Sequence, residues 1–122
     1  MAWEKVASGL FASCPQDVEA PLRVVDGLED IVALMKDEDA EQCIAVTTVA
    51  GGSAVSTIIK RTKAVVTTIG GPQSHIVVVS RDYGVPCVVG AGDLDVGALT
   101  NGAAMRLTEA GEVHLEVNGD GN

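Results

Sequence analysis

The chain has 122 residues and a formal net charge of −9, and 47% of its residues are hydrophobic although it has only one Trp, one Tyr and one Phe. A chain of this length can bury a core of its own, so we expect one domain over 1–122, with its core at about 10–117 and a frayed tail at 118–122. The acidic balance argues against a nucleic-acid or acidic-membrane surface. Neither a signal-peptide pattern nor a membrane-length apolar run is visible, so a cytoplasmic protein is expected.

The three cysteines indicate packing residues rather than disulfides or metal ligands. Cys14, Cys43 and Cys87 are odd in number, lie far apart and have no C-x-x-C spacing. In a cytoplasmic chain such residues are expected to be reduced and buried.

The first third of the chain predicts a strand and a helix. Residues 1–12 form an apolar lead-in, either a short strand or an arm that faces a partner, and we expect Trp3 to pack on the sheet. Residues 21–25 predict a strand, after which Asp26 is expected to cap a helix over about 28–36. Helical spacing marks an apolar face on this helix, consisting of Leu28, Ile31, Val32 and Met35.

The acidic run at 37–41 contains no histidine and has no fixed scaffold, so we interpret it as a solvated loop rather than a metal site. Residues 43–48 then predict a buried strand, and a glycine turn at 50–53 leads into a helix near 54–60. That turn is interpreted either as a simple tight turn or as part of a wall around His75.

One basic cluster follows, made of Lys60, Arg61 and Lys63. At the end of a helix such charges usually compensate the helix dipole, which is the interpretation we favour. The alternative is a docking site for an acidic or nucleotide-bearing partner.

The central stretch, 64–90, predicts a strand, a glycine turn and a helix. The apolar run at 64–66 enters Gly70-Gly71-Pro72, and the segment 76–83 is too long and uninterrupted to be another turn. Gly84 and Pro86 then end the helix in the usual way. His75 is therefore expected at or just inside the N-terminus of the helix.

This position suits a phosphoryl carrier. The first turn of a helix has unpaired N–H groups and the positive end of the dipole, and paired glycines let the backbone approach a phosphate closely. A neutral imidazole nitrogen is a nucleophile that needs no helper base. Ser74 can cap the helix or donate to a phosphoryl oxygen, and Pro72 would rigidify the turn. A metal site at His75 has no second ligand at suitable spacing and is given little weight.

The last third predicts mainly strands. Residues 85–89 form another buried strand, 91–95 a polar turn, and Asn101-Gly102 is a strong hairpin signal that leads into a strand at 104–108. A second turn at 109–111 precedes a strand at 112–117. Alternation in that strand places His114 opposite the core, as a solvent-exposed surface histidine.

The motif Gly70-Gly71-x-x-Ser74-His75, the helix with Arg81-Asp82-Tyr83-Gly84, and Val85-Pro86-Cys87-Val88-Val89-Gly90 together resemble the mobile phosphohistidine domain of phosphoenolpyruvate-utilising enzymes. The segments 43–48 and 64–69 are similar to the family's two strands before the glycines, and 99–102 and 110–113 to its closing hairpin. The resemblance covers about 10–117. It implies an α/β fold, a three-layer swivelling β/β/α domain, whose histidine takes a phosphoryl group at one active site and delivers it at another.

The sequence also departs from the family pattern. Gln73 stands where Thr or Met is common, and Ile76 and Ser80 stand where small residues are usual. The loop at 50–53 lacks the family's Thr-x-Pro-like sequence, so no loop threonine is assigned to the site. Near the start, the family's Ser-Pro-Gly turn is replaced by Ser13-Cys14-Pro15, and Ala20 stands for a Gly.

The resemblance implies His75 as the catalytic residue, with Gly70, Gly71 and Ser74 stabilising phosphate and Gln73 and Arg81 in support. Arg81 is six residues from His75, about 9 Å further along the axis of a regular helix, so we expect it to fix the loop or contact a partner rather than clamp a phosphate. No metal or cofactor is expected on the chain itself, and Mg²⁺ is expected with ATP on a partner.

The chain has no Walker-type loop and no nucleotide-grasp motif, so it needs a nucleotide-grasp subunit or domain and an acceptor- or pyruvate-binding one. We expect a separate subunit of a multi-component dikinase or synthase, with an excised domain as the alternative. A second hypothesis is a non-catalytic swivelling module for interaction or regulation, motivated by the altered loop at 50–53 and the bulky Ile76.

Overall fold

The computed structural model describes residues 2–48, 54–71 and 73–117. Within these ranges the chain forms strands and helices in a mixed α/β order. The strands are β1 (Ala2–Ser8), β2 (Leu10–Ser13), β3 (Val18–Val25), β4 (Ile44–Thr47), β5 (Ala64–Thr67), β6 (Cys87–Val89), β7 (Ala104–Leu107) and β8 (Glu112–Val117). The helices are α1 (Leu28–Lys36), α2 (Ala54–Arg61) and α3 (His75–Tyr83), and short 3-10 helices span Ala40–Gln42 and Val96–Ala98.

The eight strands form one hydrogen-bonded series in the order β1-β8-β7-β3-β4-β5-β6-β2. The long strand β3 joins its two parts: its first half pairs antiparallel with β7, and its second half pairs parallel with β4. β4, β5 and β6 run parallel, whereas β2 closes the far edge antiparallel to β6. The α/β class expected from the sequence is therefore confirmed. The predicted lead-in at 1–12 forms the two outermost strands of the series.

Two apolar cores lie on opposite faces of the parallel strands, as two alternating sets of side chains show. Ile44, Val46, Ala64, Val66 and Val88 pack with Val18, Met105, Leu107 and Val113 from the antiparallel part. Ala45, Val65, Cys87 and Val89 pack with Leu34, Ile58, Ile59, Ile76 and Val77 from the helices. Because strands buried on both faces carry apolar residues at successive positions, β4 and β5 appear in the sequence as continuous apolar runs.

Helix α1 corrects two sequence predictions. Its N-cap is Gly27, with φ 143°, and not Asp26, whose carboxylate instead accepts a hydrogen bond from the Thr48 hydroxyl at 2.8 Å. Among the helix residues whose side chains the structure describes, Leu34 is buried and Ile31 is partly buried against the same core, while Val32 and Met35 are exposed. The predicted face was therefore wrong at Val32 and Met35, because Leu34 also fits a helical period and only packing on the sheet selects between two overlapping stripes.

The acidic run is only partly solvated. Asp37 forms an ion pair with Arg23 of β3, and the Arg61 guanidinium donates to the carbonyl oxygens of Met35 and Asp37, each at 3.1 Å. Arg61 thus compensates the C-terminus of α1 rather than that of its own helix. Among the residues that the structure covers, no group of three or more His, Cys, Asp or Glu side chains could hold a metal ion.

Two turns also differ from prediction. Asn101-Gly102 does not join two paired strands; it precedes β7 and binds β3, with the Val24 N–H donating to Asn101 Oδ1 at 2.7 Å and the Gly102 N–H to the Leu22 carbonyl at 2.9 Å. The segment 91–95 is not wholly polar, because Ala91 and Leu94 are buried in the core. The predicted hairpin turn at 109–111 does join β7 to β8.

No helix in the described ranges combines the length and the apolar character that a bilayer crossing requires.

Candidate phosphohistidine site

His75 is the first residue of α3 and is exposed to solvent. The buried strand β5 ends at Thr67, and the chain returns through the glycine segment to begin the helix. Parallel strands β4, β5 and β6 place their carboxyl ends at the same edge, which is where ligands bind in many α/β sheets. The predicted helix start at His75 and its end at Gly84, with φ 67°, are both confirmed.

Ser74 organises the loop rather than the helix. It occupies the N-cap position with extended backbone angles but makes no side-chain cap. Its hydroxyl oxygen accepts a hydrogen bond from the Gly71 N–H at 2.7 Å, and its own N–H donates to the Gly71 carbonyl at 3.0 Å. The predicted cap was wrong because the hydroxyl is engaged by the turn that precedes it. The carbonyl of Ser74 accepts from the N–H groups of Val77 and Val78, so the helix begins regularly.

The two glycines of the motif have different structural requirements. Gly70 has φ 93°, a region that L side chains rarely adopt, and its carbonyl lies 3.3 Å from where a Cβ of Gly90 would stand. Gly71 has no such angle, and a Cβ there would meet nothing within 4 Å. Backbone geometry therefore explains Gly70, whereas the open space beside Gly71 is compatible with the close approach of a phosphate.

The two supporting residues lie on different parts of the site. Gln73 is exposed in the loop just before Ser74. Arg81, near the other end of α3, donates from Nε to the carbonyl of Ala12 in β2, at 3.3 Å. This contact ties α3 to β2, so the fixing of the loop expected for Arg81 stays a prediction.

Ile76, the bulky residue after the histidine, is fully buried in the core between the helices and the sheet. It therefore does not cover the imidazole. The glycine turn at 50–53, the other proposed wall of the site, and Pro72 lie outside the described residues.

Two of the three cysteines are poorly suited to act as nucleophiles. Burial raises the pKa of the Cys87 thiol to about 11, against a smaller opposing effect of a hydrogen bond with Ser80. Burial likewise raises the pKa of Cys43, and Cys14 is partly buried. Since the thiolate is the reactive form, Cys43 and Cys87 act as packing residues, as predicted.

His114 is not fully exposed, contrary to prediction. Its side chain retains 19% exposure, and Nε2 lies 3.3 Å from the carboxylate of Glu112, which also pairs with Lys5. The hydrogen bond with His114, followed by Lys5, lowers the pKa of Glu112. His114 is one of the chain's two histidines and lies on β8, on the antiparallel part of the sheet, so it serves as a matched control for His75.

We expect Ser74→Ala to weaken the site without unfolding the domain. The substitution leaves the Gly71 N–H without its acceptor, which is expected to cost about 1 kcal/mol because the group is only partly buried. Urea unfolding measures that cost, and phosphate uptake by the protein measures the effect on the site. Ser8→Ala, at an exposed position of β1, is a control for the change of residue type. Equal uptake by wild type and Ser74→Ala would contradict a role for the loop.

A comparison of the sequence with family models identifies the family. The chain belongs to the family described as PEP-utilising enzyme, mobile domain, whose model matches residues 39–119. The matched region contains the glycine turn, His75 and all of α3, so the resemblance deduced from the motif is confirmed.

Curated relatives match a shorter segment. Proteins described as uncharacterised from Mycobacterium bovis and Mycobacterium tuberculosis are 48% identical over 56 residues, which is 43% of this chain. The match takes up 6% of the length of each relative, so these are much longer proteins.

Solved structures match the fold over nearly the whole chain. Aconitase X of Thermococcus kodakaraensis, in its holo form, has a TM-score of 0.62 at 16% identity and covers 96% of this chain and 100% of that one. A UPF0107 protein solved by NMR in solution has a TM-score of 0.60 at 14% identity, with 95% and 100% coverage. At these identities the likeness concerns the fold alone.

Proposed function

We propose that this chain is the phosphohistidine carrier of a multi-component phosphotransferase of the dikinase or synthase type. His75 takes a phosphoryl group from ATP or phosphoenolpyruvate on a partner and passes it to a small-molecule acceptor such as a phenol or an alcohol. The observation that carries the proposal is the exposed imidazole at the first residue of α3, within the family's motif and beside the loop closed by Gly71 and Ser74.

The first transfer is an in-line displacement at phosphorus. A lone pair on an imidazole nitrogen of His75 attacks, the nitrogen–phosphorus bond forms, and the bond to the leaving oxygen breaks with its electron pair. In the second transfer an acceptor oxygen attacks the same phosphorus, and the nitrogen–phosphorus bond breaks. The acceptor's proton goes to the released imidazole or to a base on the partner.

The chain's own groups supply position and charge stabilisation. The N–H groups of the first turn of α3 carry the positive end of the helix dipole, which favours the phosphoryl oxygens on His75. Gly70 and Gly71 let the loop approach those oxygens, and Ser74 holds the loop in place. A nucleotide-grasp subunit or domain supplies ATP with its Mg²⁺, and a second one holds the acceptor or pyruvate.

The domain swivels between these two sites, since one histidine serves both. We further propose that the chain acts in the cytoplasm as a subunit of its own. The matches to much longer relatives motivate the alternative arrangement, in which the same domain is part of a longer polypeptide.

The competing function is a non-catalytic interaction or regulatory module. The likeness to aconitase X supports keeping it, because a fold shared at 16% identity does not carry phosphoryl chemistry with it. Against it stands the burial of Ile76, one of the two features that motivated this alternative, since Ile76 does not cover His75.

The deciding experiment is intact-protein mass analysis under alkaline conditions, which preserve phosphoramidates. The protein is mixed with a lysate of its own cells and either ATP or phosphoenolpyruvate. An acid-labile gain of one phosphoryl group is expected with one of the two donors and identifies it. No gain with either donor, in a lysate that phosphorylates a known carrier of the family, would favour the interaction module.

A further inference from the structure

Three exposed apolar side chains lie at the sheet edge where His75 stands. Leu10 is 48% exposed, Ile69 51% and Val78 48%, although large apolar side chains are normally buried. Ile69 directly precedes Gly70, and its carbonyl accepts from the N–H of Gly90 at 3.3 Å, which joins it to the end of β6. The end of β6 in turn carries Leu10, because Leu10 is opposite Val89 in the ladder between β2 and β6.

The pairing also shows which face Leu10 occupies. Val89 packs in the core on the helix side of the sheet, and directly opposed residues of an antiparallel pair project to the same face. Leu10 therefore lies on the helix side, at the end of β2 that is level with the carboxyl ends of the parallel strands.

Helix α3 brings Val78 to the same place. His75, Val78 and Arg81 recur every three residues and so line one side of the helix. The contact between Arg81 and the Ala12 carbonyl shows that this side overhangs β2. From the contact between Arg81 and Ala12, Val78 lies one turn back along α3 and Leu10 lies two residues back along β2. His75 lies one further turn back along α3.

The segments that carry this patch lack charge. None of the chain's 17 acidic and 8 basic residues falls in the segments 9–12, 67–71, 73–80 or 88–92, which hold the three side chains, His75 and the end of β6. A net charge of −9 repels a phosphorylated donor, so the uncharged edge is the part of the surface that such a donor can approach at least cost. The cations that hold the donor must then come from the partner.

We infer that Leu10, Ile69 and Val78 form the apolar patch on which the donor-bearing partner seats while His75 is phosphorylated. The inference rests on the proposed function, because transfer requires donor phosphorus within bonding distance of His75, and a protein holding that donor must cover its surroundings. The patch thus selects the partner, while His75 performs the chemistry.

The test compares two donors on matched variants. Val78→Ser and Leu10→Ser are made beside Val32→Ser, which changes the same residue type as Val78→Ser at a similarly exposed helical position, 41%, on α1. Each protein is labelled by the cell lysate with the donor that labels wild type, and separately by inorganic phosphoramidate, a small molecule that needs no docking surface.

We expect Val78→Ser and Leu10→Ser to lower the rate of lysate-dependent labelling by about tenfold or more, as for loss of a central interface contact. Labelling by phosphoramidate stays at the wild-type rate in every variant, and Val32→Ser matches wild type with both donors. Wild-type rates for Val78→Ser and Leu10→Ser with the lysate would overturn the inference while leaving the carrier function intact. Equal losses with both donors would also overturn it, since they place the defect at His75 itself. If the lysate labels no protein at all, the proposed function fails and the inference with it.

Discussion

Replacing His75 with alanine is expected to abolish phosphate uptake and to reduce turnover of the complete phosphotransferase by about 10³-fold or more. In the proposed mechanism the imidazole is the group to which phosphorus becomes bonded, and loss of a covalent nucleophile is not compensated by binding alone. Because His75 is exposed at the start of α3, the free energy of unfolding should change by only about 0.5 kcal/mol or less. Mass analysis of the intact protein and urea unfolding provide the two measurements.

The matched control is His114→Ala. It removes the other histidine, which lies on β8 and pairs with Glu112, and it should leave phosphate uptake unchanged. Uptake that survives in His75→Ala but is lost in His114→Ala would contradict the proposal, because it would assign the carrier role to the histidine on β8. Uptake lost in neither variant would mean that phosphate is carried on another residue type, which the acid lability of the product would also reveal.

Gly111→Ala is expected to destabilise the fold by about 3 kcal/mol or more. Gly111 has φ 90°, and a Cβ there would stand 2.3 Å from the carbonyl oxygen of Gly9, a backbone atom that has no room to retreat. Gly9 itself would place a Cβ 2.4 Å from the Val89 carbonyl oxygen, and its N–H donates to the Gly111 carbonyl at 2.9 Å. The turn between β7 and β8 thus packs closely against Gly9, the residue that connects β1 to β2. Thermal or urea unfolding measures the loss.

Gly102→Ala separates the contribution of the backbone angle from that of the contact. Gly102 has φ 92°, almost the same angle, but a Cβ there would meet nothing within 4 Å. We expect it to cost about 1 to 2 kcal/mol, the strain of an L residue in this region without any clash. Equal losses of stability in the two variants would show that the turn at Gly111 shifts to accommodate the added Cβ. The packing of this turn against Gly9 would then not be tight.

The local signals around His75 were predictive because they act over a few residues. Gly84 ends α3 in a left-handed conformation, and the glycine turn before Ser74 delays the helix until His75, both as the sequence predicts. Of the two roles expected for the Ser74 hydroxyl, the helix cap was wrong, while donation to a phosphoryl oxygen stays a prediction. Within three residues it could reach either the helix N–H groups or the Gly71 N–H, and propensity alone does not choose between two donors at equal reach.

The other wrong predictions concern which side of an element is buried and which distant residues a turn contacts. Val32 and Met35 fit a helical period as well as Leu34 does, but only Leu34 is buried. Asn101-Gly102 has the composition of a hairpin turn, yet its partners are the carbonyl and N–H groups of β3, about 80 residues away along the chain. His114 alternates correctly with the core residues of β8, but a neighbouring carboxylate partly covers it.

The sequence by itself determined the family, the mixed α/β class and the placement of His75 at the start of a helix, because these depend on short-range backbone preferences and on a motif that is contiguous. Tertiary structure decided which sides of the helices are buried and what surrounds the histidine. Leu10 and Val78 are 68 positions apart in the chain and lie at the same edge because β2 pairs with β6 beneath α3. A neighbourhood formed by strands that pair across the sheet follows from the packing of the whole core, and no local pattern of residues specifies it.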